Sequence, residues 1–197
     1  MPDFILWIAV IVILATTIGL LLSRDWRLSL ALLALQYFGA FFLMLAHWPI
    51  AMAAAKLITG WMAAATLGMT QSGMPRFAES ENSWPEGRSF RVFMAALVVI
   101  AIYSISNSLQ IYLPGVSRAA AFGGMALIAL GMLQLGITVQ PLRVTLGLLS
   151  VLSGFEVLYS SIETSLLVAG LLSVVNLALA LVGAYLLNAE TAQEEEA

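Results

Sequence analysis

No cysteine occurs in the sequence, which excludes disulfides, thiolate-bound zinc and iron–sulfur clusters held by this chain. With one histidine, His47, there is no second imidazole to complete a ligand set. Charge is equally scarce: 10% of the 197 residues are Asp, Glu, Lys or Arg. No loop carries paired carboxylates, a nucleophile beside a base, a Gly-rich phosphate cradle or a basic patch. The chain is therefore not expected to be a self-sufficient enzyme or to bind nucleotides or nucleic acid. No basic stretch precedes the first apolar run and no small-residue cleavage site follows it, so residues 1–22 read as a retained span rather than a secretory signal.

What is abundant is apolar surface. At 61% hydrophobic residues and a mean hydropathy of +0.99, the composition excludes an ordinary water-soluble globule. Apolar windows long enough to cross a bilayer predict seven helical spans. They are Phe4 to Leu22, Leu28 to Ala46, Ile50 to Thr70, Val92 to Ser108, Ala119 to Thr138, Val144 to Ile162 and Ser165 to Leu187. The long connection from Gln71 to Phe90, with Pro75, Pro85, Gly73, Gly87 and mixed charge, marks a surface loop and an internal boundary. The terminal Glu194, Glu195 and Glu196 read as a solvated end.

Cationic residues set the orientation of a multi-pass protein. With seven spans Arg24, Arg27, Arg76, Arg88, Arg91 and Arg143 fall on one side and only Arg118 on the other, which predicts an external N-terminus and a cytoplasmic C-terminus. Trp7, Trp26, Trp48 and Trp84 lie near span ends, where indole suits the interface. The stretch Arg27-Leu-Ser-Leu-Ala-Leu-Leu-Ala-Leu35 matches Arg143-Val-Thr-Leu-Gly-Leu-Leu-Ser-Val151, each opening a span from the same side. The expected fold is thus an all-α transmembrane bundle: a three-helix unit over residues 1–70, a cytoplasmic loop and linking helix over 71–118, a parallel three-helix unit over 119–187, and an acidic cytoplasmic tail over 188–197.

Ionisable side chains within apolar spans are functional candidates by default. Two occur, Lys56 and Glu156, each about six residues or roughly 9 Å from the same face. In an apolar setting a carboxyl group resists ionisation and a nearby ammonium favours it, so a coupled pair suits proton exchange near neutral pH. Lys56 also has a stem long enough to snorkel to the surface, and Glu156 also suits a structural bond to another helix. Ser153, Glu156, Ser160 and Glu163 are spaced to share one helical stripe, a polar path to the outside. Glu163 reads rather as a solvated turn residue. Gly147, Ser150 and Gly154 form a separate small-residue stripe suited to close packing. Gln36 and Asn176 fit cross-links between helices or the lining of a wet path, and His47 fits an interfacial residue.

Gly154-Phe-Glu-Val-Leu-Tyr-Ser160, following Arg143 and an apolar half-span, resembles the Gly-x-Glu-Leu-Met-Leu-Asn segment of the K subunit of respiratory complex I and its relatives in Mrp-type antiporters. That subunit has three spans, an external N-terminus and a proton-handling Glu in its second span. The resemblance places that Glu at Glu156 and the family's Asn at Ser160. The whole chain looks most like the seven-span membrane subunit of energy-converting hydrogenases of the formate-hydrogenlyase type, through the Trp26-Arg-Leu-Ser29 opening and Lys56 in Ala55-Lys-Leu-Ile-Thr59. Two departures matter: no acidic residue lies near Ser173 to Asn176, and Ala40 stands at the first unit's equivalent of Glu156.

The resemblance implies a proton-pathway subunit of a prokaryotic cytoplasmic-membrane complex, packed beside an antiporter-like subunit. The chain itself would carry no cofactor, and quinone, iron–sulfur or nickel–iron centres would belong to its partners. A purely structural scaffold subunit and an autonomous secondary transporter are the alternatives. The second is disfavoured by short loops and by the lack of Gly/Pro-broken helices at mid-span.

Overall fold

A computed structural model describes residues 3–73, 87–112 and 115–196, with side chains 107, 109–112 and 191–196 left aside. The described residues form seven α-helices: α1 (Asp3–Leu22), α2 (Trp26–Met44), α3 (Ile50–Ser72), α4 (Arg88–Tyr112), α5 (Arg118–Ile137), α6 (Pro141–Tyr159) and α7 (Leu166–Glu196). All seven include a stretch long and apolar enough to cross a membrane, compatible with a multi-pass membrane protein. Arg76, Trp84, Pro75 and Pro85, assigned above to the long loop, lie outside the described residues.

Local chemistry sets the helix ends. Asp25 caps α2 by accepting the Arg27 amide at 2.9 Å, Ser117 caps α5 by accepting that of Ala120 at 3.2 Å, and Pro141 opens α6 where no amide donor is needed. Two ends differ from expectation. α6 stops at Tyr159, and Ser160 is its C-cap rather than part of a span to Ile162. α7 runs on to Glu196 instead of ending near Leu187, because Asn188-Ala-Glu-Thr-Ala-Gln-Glu retains good helix formers after the apolar run ends.

α1 and α2 run antiparallel: Gly39 of α2 approaches Ile13 of α1 while Gly19 of α1 approaches Leu32 of α2, and α2–α3 and α5–α6 pair in the same way. The packing resolves into two four-helix rings that share the α2–α6 wall. One is closed by α1, α2, α6 and α5, the other by α2, α3, α7 and α6. α4 lies outside the first ring, against α5 and α1.

The first ring is apolar and closely packed. Ile13, Ala40, Leu43, Ala120, Ala126, Leu127 and Val157 are fully or almost fully buried there. Its tightest seam is α5–α6, where a Cβ on Gly154 would stand 2.6 Å from the Gly124 carbonyl oxygen and one on Gly131 3.0 Å from that of Gly147. Gly147 and Gly154 thus serve the close packing their spacing suggests. Ser150 does not join them, as its hydroxyl faces α2. α4 and α7 leave large side chains exposed, among them Phe93, Ile100, Leu171 and Leu181. Such faces suit lipid or neighbouring subunits.

Candidate functional site

The second ring is where the polar side chains meet. Three of its sides, α2–α3, α3–α7 and α6–α7, are well packed and α2–α6 touches more sparsely, whereas its diagonals, α3 to α6 and α2 to α7, make little or no helix contact. Long polar side chains span both. On the first diagonal the Lys56 ammonium donates directly to Oε1 of Glu156, forming an ion pair with the two side chains 2% and 1% exposed. On the second, the Tyr37 hydroxyl donates to Oδ1 of Asn176 at 2.6 Å. The Tyr37 ring rests against Gly60, one turn from Lys56 on α3, so the two crossings adjoin.

A third link ties one side of the ring. Gln36 donates through Nε2 to the Ser150 hydroxyl at 3.0 Å, and that hydroxyl donates to the Leu146 carbonyl oxygen at 2.9 Å. Gln36 and Ser150 are both completely buried. Gln36 thus bonds from α2 to α6, and Asn176 on α7 accepts from α2.

The backbone explains why the side chains reach each other. Lys56 lies six residues into α3, and Gly60 follows one turn later on the same face. A Cβ on Gly60 would overlap the Tyr37 ring, so the missing side chain lets the ring lie flat against α3. That close approach holds the phenol in the middle of the ring.

The polar layer sits between two apolar zones. Trp48, Met52, Val157 and Ala169 lie toward the end carrying the 160–165 turn. Leu33, Leu67, Leu146, Leu149 and Ala180 fill the opposite half. Charges in such a setting stay only if paired. Lys56 meets that condition through Glu156 and does not snorkel.

Ser153, Glu156 and Ser160 share the inward face of α6, all at most 1% exposed. The Ser160 amide donates to the Glu156 carbonyl oxygen at 2.9 Å and its hydroxyl to that of Val157 at 2.7 Å. Glu163 leaves the stripe because the helix has already ended. Its carboxylate accepts the amides of Thr164 and Ser165 at 3.0 and 2.9 Å and shapes the turn into α7, while its carbonyl oxygen accepts the Trp48 indole N–H at 2.8 Å. Trp48 is thereby buried as a clasp between two turns. His47, beside it, is half-buried.

Sequence reasoning passed over Tyr37 and gave Ser150 a different role. The available signals were the adjacency of Tyr37 to Gln36 and the position of Ser150 one turn before Ser153. Among the described residues no group of three or more His, Cys, Asp or Glu is placed to hold a metal ion. What the arrangement offers is a paired carboxylate and ammonium in an apolar interior, with the Ser153 hydroxyl one turn from Glu156 on α6 and the amides of Gln36 and Asn176 on the adjoining helices α2 and α7.

No protein-family model, no curated protein and no solved structure matches this chain.

Proposed function

We propose that the chain is a membrane-embedded subunit of a multi-subunit, complex I-like assembly that couples redox chemistry to proton or cation translocation, and that Glu156 belongs to the proton path. The observation that carries the reading is the buried Lys56–Glu156 pair. An ammonium and a carboxylate held together in an apolar interior are two protonation sites whose charges depend on each other, the property a relay requires. Lys56 tunes or exchanges protons with Glu156, and Ser153 and Ser160 flank the carboxyl on the same face of α6. The chain supplies no redox centre. Quinone, iron–sulfur or nickel–iron chemistry belongs to partner subunits, and an antiporter-like subunit packs against it.

The helix arrangement supports a parallel duplication with α4 as the linking helix. α1 packs on α5, α2 on α6 and α3 on α7, like beside like. Only the second unit keeps a carboxylate, at Glu156, while the first has Ala40 there. The Arg distribution favours an external N-terminus and a cytoplasmic C-terminus in a prokaryotic cytoplasmic membrane.

One observation favours a scaffold instead: the polar crossings brace both diagonals of the ring, so their removal would loosen the fold. Glu156→Gln separates the two. A proton-path residue loses translocation per assembled complex, whereas a brace loses assembled complex and leaves translocation per complex unchanged. Isolation of the tagged chain from native membranes should bring membrane and peripheral redox partners with it. A chain isolated alone, with transport activity of its own in liposomes, would contradict the subunit reading.

A further inference from the structure

Besides Oε1 of Gln71 at the far end of α3, two buried polar atoms on the helices of the second ring have no partner among the described residues: Oγ of Ser153 and Nδ2 of Asn176. Ser153 is completely buried and Asn176 is 1% exposed. Buried donors and acceptors are normally satisfied by protein or by ordered water. Each of these two belongs to a residue tied into the polar layer. Ser153 stands on α6 one turn from Glu156 on one side and one turn from Ser150, the partner of Gln36, on the other. Asn176 uses its Oδ1 for Tyr37 and presents its unused amide hydrogens beside it. The ring's diagonals are spanned by side chains rather than by helix contact, and both orphaned atoms belong to residues beside those crossings.

We infer that Ser153 and Asn176 bound a buried water site that links the Glu156 carboxyl to the Tyr37–Asn176 crossing. The water accepts from Nδ2 of Asn176, exchanges a hydrogen bond with Oγ of Ser153 and extends the Glu156 side of the pair toward the middle of the bundle. Each bound molecule has the two or more polar partners that a buried water needs. Asn176 and Ser153 are positioning residues here, and Tyr37 fixes Asn176 so that its amide points inward. Toward the 141–149 end of α6 Leu33, Leu67, Leu146 and Leu149 form a buried apolar layer, which offers a water no partner, so the hydrated segment ends there. The part this water plays in proton transfer rests on the reading of Glu156 proposed above; its existence does not.

The test uses the intact complex, imaged by electron cryomicroscopy at a resolution that shows ordered water. Density within hydrogen-bond reach of both Ser153 Oγ and Asn176 Nδ2 is expected. Both atoms bonded to protein groups, or facing no density, would overturn the site. Ser153→Ala removes the hydroxyl without adding bulk. It should lower proton translocation per assembled complex by about tenfold or more while complex yield holds, the scale of a misplaced proton-transfer group. Translocation at the parent rate would overturn the hand-over. If the water is seen and Glu156→Gln still translocates normally, the hydration site stands and the proton-path reading of Glu156 fails.

Discussion

Lys56 and Glu156, 100 residues apart in the chain, meet across a diagonal of a four-helix ring whose helices do not otherwise pack closely along that line. The ammonium arrives from one turn and a half inside α3, the carboxylate from the last turn of α6. Neither charge is tolerable alone in that interior, so each makes the other's position possible.

Removal of one partner should therefore be worse than removal of both. Lys56→Met or Glu156→Leu leaves an unpaired buried charge, or forces its neutralisation, and should destabilise the purified protein by roughly 3–5 kcal/mol. The double variant should recover much of that loss. Thermal unfolding in detergent checks this, and a double variant as unstable as the sum of the single ones would refute the coupling.

The Tyr37–Asn176 crossing is neutral and should matter less for stability. Tyr37→Phe removes only the hydroxyl and should destabilise the fold by about 0.5–1.5 kcal/mol. Measured in a cycle with Asn176→Leu, the two changes should be non-additive, because both delete the same 2.6 Å bond.

Glycine substitutions provide a contrast that depends on the geometry of the ring. Gly60→Ala drives a methyl group into the Tyr37 ring and should destabilise by about 1–3 kcal/mol. Gly136→Ala meets nothing within 4 Å and should be neutral or slightly stabilising, since Ala is the better helix former. Equal effects at the two positions would contradict the close approach of α2 and α3.

Orientation has a clean assay because the chain contains no cysteine. Ile162, 61% exposed in the turn before α7, and Val139, 87% exposed between α5 and α6, lie at opposite ends of α6. Single-cysteine variants at these positions should react with a membrane-impermeant thiol reagent from outside and from the cytoplasmic side respectively. The reverse pattern would invert the topology proposed here.

Much of the bundle is legible in the sequence, because the hydropathy of each apolar run acts locally. Among the described residues seven helices appear where seven are expected, with ends displaced by a few residues, except at the C-terminus, where polar helix formers extend α7. Lys56 and Glu156 were recognisable because an ionisable group in an apolar span is costly whatever surrounds it. Their pairing was not, since a lysine stem permits either a buried partner or an excursion to the surface. Glu163 shows how periodicity misleads: its spacing continues the stripe of Ser153 and Glu156, but α6 ends at Tyr159 without a glycine or proline to announce it. Tyr37 reads in sequence as one aromatic among many in an apolar helix. Its role emerges only from Gly60 and Asn176, which distant segments bring to it.

The account is tested most directly by measuring proton translocation per electron pair in membrane vesicles containing the assembled complex with Glu156→Gln, normalised to the amount of complex. The account predicts a fall of roughly 10²-fold or more with the complex still assembled and its redox chemistry still detectable. Translocation at the parent stoichiometry would contradict it.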